Sequence, residues 1–190
     1  MKLVIVVAVW AAFVVAGMAA LQIYKTTPGA IAAAPRTWPA ASALPRNGRA
    51  TLVMLSHPRC PCTRASLAEL QSLLADYREP LTAYILFIQP RGTGYEWTNT
   101  DLWRTASHID GVHAILDKDA VEADRFQGLT SGQVVLYDAD GTLRFSGGIT
   151  GARGHVGDNL GARRLLAILR GEAADRADSP VFGCPLHAEN

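Results

Sequence analysis

The sequence predicts a mixed α/β domain carried behind one apolar N-terminal helix. Three observations predict it. Residues 3–21 form an uncharged run broken only by Gly17; residues 51–88 read strand, helix, strand; and residues 133–145 read strand, tight turn, strand ahead of a last helix. Composition narrows the classes. Across 190 residues the net charge is +1, against a nucleic-acid binder with a strongly basic face. Three cysteines are too few for a disulfide framework, and 17 Gly with 10 Pro do not make a disordered chain.

Residues 1–24 hold 21 hydrophobic residues. A 19-residue helix at ~1.5 Å per residue is roughly 28 Å long, close to the hydrocarbon core of a bilayer. That length exceeds the apolar stretch of a cleaved signal peptide, and the small-residue site at Ala32–Ala34 lies far from it and precedes Pro35. The segment is expected to be an uncleaved signal anchor. Residues 25–49 carry Pro28, Pro35, Pro39 and Pro45 and no acid, which predicts an extended basic linker. Lys25, Arg36, Arg46 and Arg49 concentrate positive charge there, leaving about −4 on residues 50–190. Lys2 faces Lys25 and Arg36 across the apolar run, so the charge rule does not set the orientation.

The domain is expected over residues 50–172, with a tail at 173–190. Residues 51–56 read as a buried strand. Ala65, Leu67, Leu70, Leu73, Leu74 and Tyr77 recur at helical spacing over 63–78. Residues 81–88 are almost continuously apolar, as in a strand covered on both faces, and the connection implies a right-handed parallel crossover. A polar and aromatic loop at 89–99 precedes a short helix at 100–108, a weaker strand at 112–116 and a helix at about 119–126. Asp138-Ala139-Asp140-Gly141 supplies the hairpin turn between strands 133–137 and 142–145. The last helix is placed at 159–170, capped by Asp158 and ended by Gly171.

The chemistry concentrates in Ser56-His57-Pro58-Arg59-Cys60-Pro61-Cys62-Thr63-Arg64, between the first strand and the first helix of the domain. A thiolate at a helix N-terminus is stabilised by free backbone amides, and Arg59 and Arg64 are expected to act in the same direction. Two functions fit this placement. One is a redox dithiol whose short ring, with Pro61 fixing φ, makes a labile disulfide. The other is a copper or zinc site using Cys60 and Cys62 with His155 or Cys184, which no regular ligand spacing supports.

Residues 50–170 resemble the thioredoxin-like superfamily through the strand, the cysteine motif at the helix start and the later hairpin block. More narrowly, Cys60-Pro61-Cys62-Thr63-Arg64-Ala65-Ser66, Gly147-Gly148-Ile149-Thr150, Arg153-Gly154-His155 and Gly157-Asp158-Asn159 resemble the RedB-like group of membrane-tethered bacterial thioredoxin-fold proteins. The resemblance implies an α/β thioredoxin-like central sheet with flanking helices and dithiol–disulfide exchange with a protein partner. It implies no cofactor, copper or zinc belonging to the alternative.

Three departures stand beside it. One residue separates the cysteines instead of two, so either Cys60 is the nucleophile in a shortened loop or Cys62 holds register; Cys60 is favoured as the more exposed sulfur. The proline that faces the cysteines in the superfamily is absent, with Ser131 or Gly132 in its place, which argues against general protein-disulfide activity. No threonine stands three residues before either cysteine, which argues against a peroxide-reducing site.

Cys184, in an apolar patch of the tail, reads either as a small anchoring hydrophobe or as a resolving or relay thiol. His155 and Arg153 follow the last strand at the same end as the cysteines, where an imidazole could move protons or bind metal, and His57 has a similar option. Tyr95, Trp97 and Trp103 could wall a binding surface, although Trp103 fits core packing better. The function expected is a membrane-anchored thiol-disulfide oxidoreductase facing the periplasm or exterior. The alternatives are the metal carrier and a redox-inert binding module.

Overall fold

In the computed structural model, which describes residues 1–187, helix α1 (Lys2–Thr26) is exposed along its length. It is long and apolar enough to cross a membrane. The domain follows as β1 (Ala50–Ser56), α2 (Thr63–Asp76), β2 (Leu81–Gln89), a single 3-10 turn (Tyr95–Trp97), α3 (Asp101–Ser107), β3 (Val112–Lys118), α4 (Val121–Arg125), β4 (Gln133–Tyr137), β5 (Leu143–Gly148), α5 (Leu160–Leu169) and β6 (Asp178–Ser179).

The six strands form one sheet in the order β3-β2-β1-β4-β5-β6. β1, β2 and β3 run parallel; β4 is antiparallel to β1, β5 to β4, and β6 runs parallel to β5. β1 and β2 lie inside the sheet with both faces buried, which is why both read as apolar runs without alternation. One face carries Leu52, Met54, Ile85, Phe87, Val134 and Leu136 against α2, α3 and α5, through Leu67, Leu70, Leu102, Ala106 and Leu165. The other face carries Val53, Leu55, Tyr84, Leu86, Val135 and Tyr137.

That second face explains why the linker does not behave as a spacer. Among the described residues, short α4 with Ala123 and the following Phe126 covers part of it and Leu186 of the tail another part, and residues 27–49 lie across the remaining apolar surface as a strap. Ala34 and Leu44 are buried there, and the Trp38 ring meets Phe126 and Tyr137 edge-on. The prolines still prevent regular structure, and the strap's carbonyls are satisfied from the sheet. Tyr137 Oη donates to the Pro35 carbonyl (2.9 Å) and Tyr84 Oη to the Pro45 carbonyl (2.8 Å). Buried Glu122 accepts from Ser42 Oγ (2.6 Å) and the Ala43 amide (2.9 Å).

The hairpin turn has the expected chemistry. Asp138 Oδ1 accepts from the Asp140 and Thr142 amides, and Gly141 takes φ +86°. Two boundaries move. The return strand runs on to Gly148, because Gly147 and Gly148 let the 179–181 segment approach to distances a Cβ would obstruct. The cap of α5 is Asn159 and not Asp158: Asn159 Oδ1 accepts the Ala162 amide (2.8 Å), while Asp158 points outward to Arg163.

Candidate active site

Strand β1 delivers the chain at Ser56 into a tight loop that ends where α2 begins. The Cys60 amide donates to the His57 carbonyl (3.1 Å) and the Thr63 amide to the Cys60 carbonyl (3.1 Å), while Cys62 already has helical backbone angles. The loop is braced from the residues that lead into β4. Buried Ser131 accepts from the His57 amide through Oγ (2.9 Å), and that oxygen lies 2.8 Å from buried Thr63 Oγ1. The Gly132 amide donates to the Leu55 carbonyl (2.7 Å), with φ at +89°. Residues 130–132 therefore stand directly against the cysteine loop. The resemblance sets Ser131 or Gly132 against the cysteines, but the pairing of Ser131 with Thr63, 68 positions away, has no signal in the sequence.

Cys60 is the more buried sulfur of the motif, at 1% exposed against 7% for Cys62. This reverses the sequence expectation, and the cause is the C-terminal tail. The backbone amide of Cys184 donates to Cys60 Sγ (3.4 Å), and its segment lies over the loop. Burial opposes ionisation of Cys60, yet hydrogen bonds from the Cys184 side chain and amide and from the Cys62 and Thr63 amides outweigh it, holding the thiol below its ordinary range. The helix N-terminus thus supplies its amides as expected. Cys62 is pushed up by burial and by the Cys60 charge, with Arg153 acting the other way. Burial and the donation to Cys60 push Cys184 up to about 12. Cys60 is thus the most acidic of the three thiols.

The arginines predicted to stabilise that thiolate are engaged elsewhere. Arg59 stacks its guanidinium 4.0 Å over the Trp97 ring, and Arg64 pairs with Asp101 at the start of α3. Burial and then the Arg59 charge hold the His57 imidazole below its ordinary range, and its Nδ1 accepts the Arg59 amide (3.1 Å). The cation that reaches the cysteines is Arg153, which contacts Cys62 and also donates to the Gly183 carbonyl. Its Nε donates to the Tyr24 carbonyl (3.2 Å), its amide to the Lys25 carbonyl (3.0 Å), and its guanidinium lies 4.9 Å from the Tyr24 ring centre. Buried Glu69 of α2 fixes the loop that carries Arg153 by accepting from the Gly157 amide (2.6 Å) and Asn159 Nδ2 (3.2 Å).

His155 is exposed on that loop, and among the described residues no hydrogen bond joins it to a cysteine. The ligand set Cys60, Cys62 and His155 does not converge. Among the described residues no group of three or more His, Cys, Asp or Glu side chains is placed to hold a metal ion. Tyr95 is exposed, Trp97 lies between His57 and Arg59, and Trp103 packs on Phe87 of the core.

No family model matches the chain, and no curated protein is significantly similar to it. Similar solved structures exist. An uncharacterized conserved protein from Geobacillus kaustophilus superimposes with a TM-score of 0.62 at 15% identity, over 86% of this chain and 93% of its own. A hypothetical protein from Sinorhizobium meliloti gives 0.60 at 20% identity, over 84% and 93%. A solution structure of a thioredoxin-like protein in the oxidized form is a looser match, at 0.49 and 15% identity over 78% and 97%. At these identities the first two speak for the fold and not for activity. The parallel β1-α2-β2 unit with the cysteine motif at its turn, joined to the antiparallel β4-β5 hairpin and α5, makes that fold thioredoxin-like.

Proposed function

We propose that the protein is a thiol-disulfide oxidoreductase held at a membrane by α1, its domain facing the periplasm or exterior. Cys60 is the attacking sulfur and Cys62 its neighbouring resolving thiol. The observation that carries the reading is the Cys60 sulfur at the start of α2, buried yet supplied with enough hydrogen-bond donors to favour the thiolate. The Cys-Pro-Cys motif and the resemblance to the thioredoxin-like superfamily support the same chemistry.

The Cys60 thiolate attacks one sulfur of a partner protein's disulfide, and the other sulfur leaves as a thiolate. The second thiol of the chain then loses its proton and attacks Cys60, releasing the partner's remaining sulfur as a thiolate. Two electrons pass to the partner, and a protein dithiol of a second partner returns the chain to its reduced form. Arg153, beside Cys62, favours the anion that Cys62 must become, so it is a positioning residue for that step. In full-length protein in detergent, Cys60→Ser is expected to abolish reduction of a disulfide substrate. Retention of full activity would overturn the assignment.

A further inference from the structure

The C-terminal segment has more contacts with the site than a tail needs. Its amides and carbonyls pair with the edge formed by residues 129–131: the Ser131 amide donates to the Cys184 carbonyl (2.8 Å), the Leu186 amide to the Leu129 carbonyl (2.9 Å), and Thr130 and Pro185 form an antiparallel bridge. Upstream, the Gly29 amide of the strap donates to the Val181 carbonyl (2.8 Å). Val181 and Leu186 are buried on either side of Cys184, and Gly183 lies so close to the Ser131 carbonyl that a Cβ would overlap it. An extended segment adding itself to an exposed edge, with alternate side chains seated, is how a peptide ligand docks by strand addition. Here the occupant belongs to the same chain.

We infer that residues 180–187 are a captive strand in the groove beside the cysteine loop, and that Cys184 is a third redox thiol that closes a disulfide with Cys60. The inference rests on Cys60 being the exchanging sulfur. Two features favour Cys184 over Cys62 as the lasting partner. Cys62 is bound into the first turn of α2 with Pro61 fixing φ between the two sulfurs, so a bridge there must distort the helix start. Cys184 sits on an irregular segment that can adjust, and its amide already touches Cys60 Sγ.

In the reaction, the Cys60 thiolate opens the substrate disulfide and the first substrate sulfur leaves as a thiolate. Cys62 displaces the second substrate sulfur, which moves two electrons to the substrate. Cys184 then gives up its proton and attacks Cys60 Sγ, the Cys60–Cys184 bond forms, and the Cys60–Cys62 bond breaks with Cys62 leaving as a thiolate that takes a proton. An external protein dithiol restores both thiols. A substrate that needs the 129–131 edge enters only when the captive strand lifts.

The sequence supplies its own readout. Trypsin cuts after Arg59, Arg64 and Arg176, placing Cys60 and Cys62 together on peptide 60–64 and Cys184 on peptide 177–190. Full-length protein in detergent is oxidised with diamide, its free thiols are alkylated, and the peptides are weighed without reductant. The expected result is peptide 60–64 joined to 177–190 in the parent and in Cys62→Ala. Peptide 60–64 closed on itself with Cys184 fully alkylated, or no oxidation of any cysteine, overturns the inference. The exchange assay on Cys60→Ser tests the underlying function separately, since it is read without reference to Cys184.

Discussion

Gly183→Ala is the most direct mechanical test of the covering strand. Gly183 takes ordinary backbone angles, so alanine strains nothing there except through its new methyl group, which would sit well inside contact distance of the Ser131 carbonyl. Regaining an ordinary separation of roughly 3.5 Å requires the strand to retreat by more than about 1 Å. That displacement breaks the bonds Ser131 amide to Cys184 carbonyl, Leu186 amide to Leu129 carbonyl and Cys184 amide to Cys60 Sγ. At about 0.5–1.5 kcal/mol each, their loss favours local opening by about 2–4 kcal/mol, or roughly 30- to 1,000-fold. Hydrogen exchange at the Ser131 and Leu186 amides is expected to accelerate by that factor, while amides in β1 and β2 keep their rates because only the strand detaches. Thiol chemistry gives a second readout. Burial disfavours the Cys60 thiolate, and the two donors from Cys184 are the largest forces on the other side. Losing them also uncovers the sulfur, so the plateau rate of its alkylation at high pH rises. Unchanged exchange at both amides with a superimposable alkylation profile would refute the covering role.

The strap and the alkaline limit of stability yield two further tests. Glu122→Ala removes the acceptor of Ser42 Oγ and the Ala43 amide, and losing both is expected to cost about 2 kcal/mol. Tryptic cleavage after Arg46, measured over time on the native protein, should then rise about 30-fold, and an unchanged rate would mean the strap is held by other contacts. Burial pushes the Tyr137 phenol up to about 12 from its ordinary value near 10. The unfolded chain therefore releases this proton first, and folding stability falls as pH rises from about 10 towards 12. Tyr137→Phe should lose about 1 kcal/mol at neutral pH through the orphaned Pro35 carbonyl, and its urea midpoint should fall less than the parent's between about pH 9 and about pH 11.

The parts of the fold that were legible are those whose pattern is local. Leu67, Leu70 and Leu73 repeat at helical spacing because α2 buries one stripe, and Asp138 to Gly141 spell out a turn whose bonds close within five residues. What could not be read depends on pairs far apart in the chain. Residues 27–49 lack periodicity because prolines suppress it, so Ala34, Trp38 and Leu44 give no hint of the sheet face they cover. The burial of Cys60 has no local signal because the group that covers it is 124 positions away. Arg59 and Arg64 adjoin the cysteines in sequence, yet an aromatic ring and Asp101 claim them, and Arg153 reaches the site from the loop before α5. Sequence neighbours of a reactive sulfur are not its electrostatic neighbours when the loop turns their side chains outward.

Arg153 holds the end of α1 with one set of contacts and Cys62 with another. In the membrane-held protein proposed above, this leaves the reactive sulfurs about one side-chain length from the lipid headgroups, with no slack to swing outward. A partner would then meet the site by lateral diffusion in or along the same membrane, presenting its disulfide close to the surface. A long-armed soluble partner approaching from the far side of the domain would find the sulfurs turned away from it.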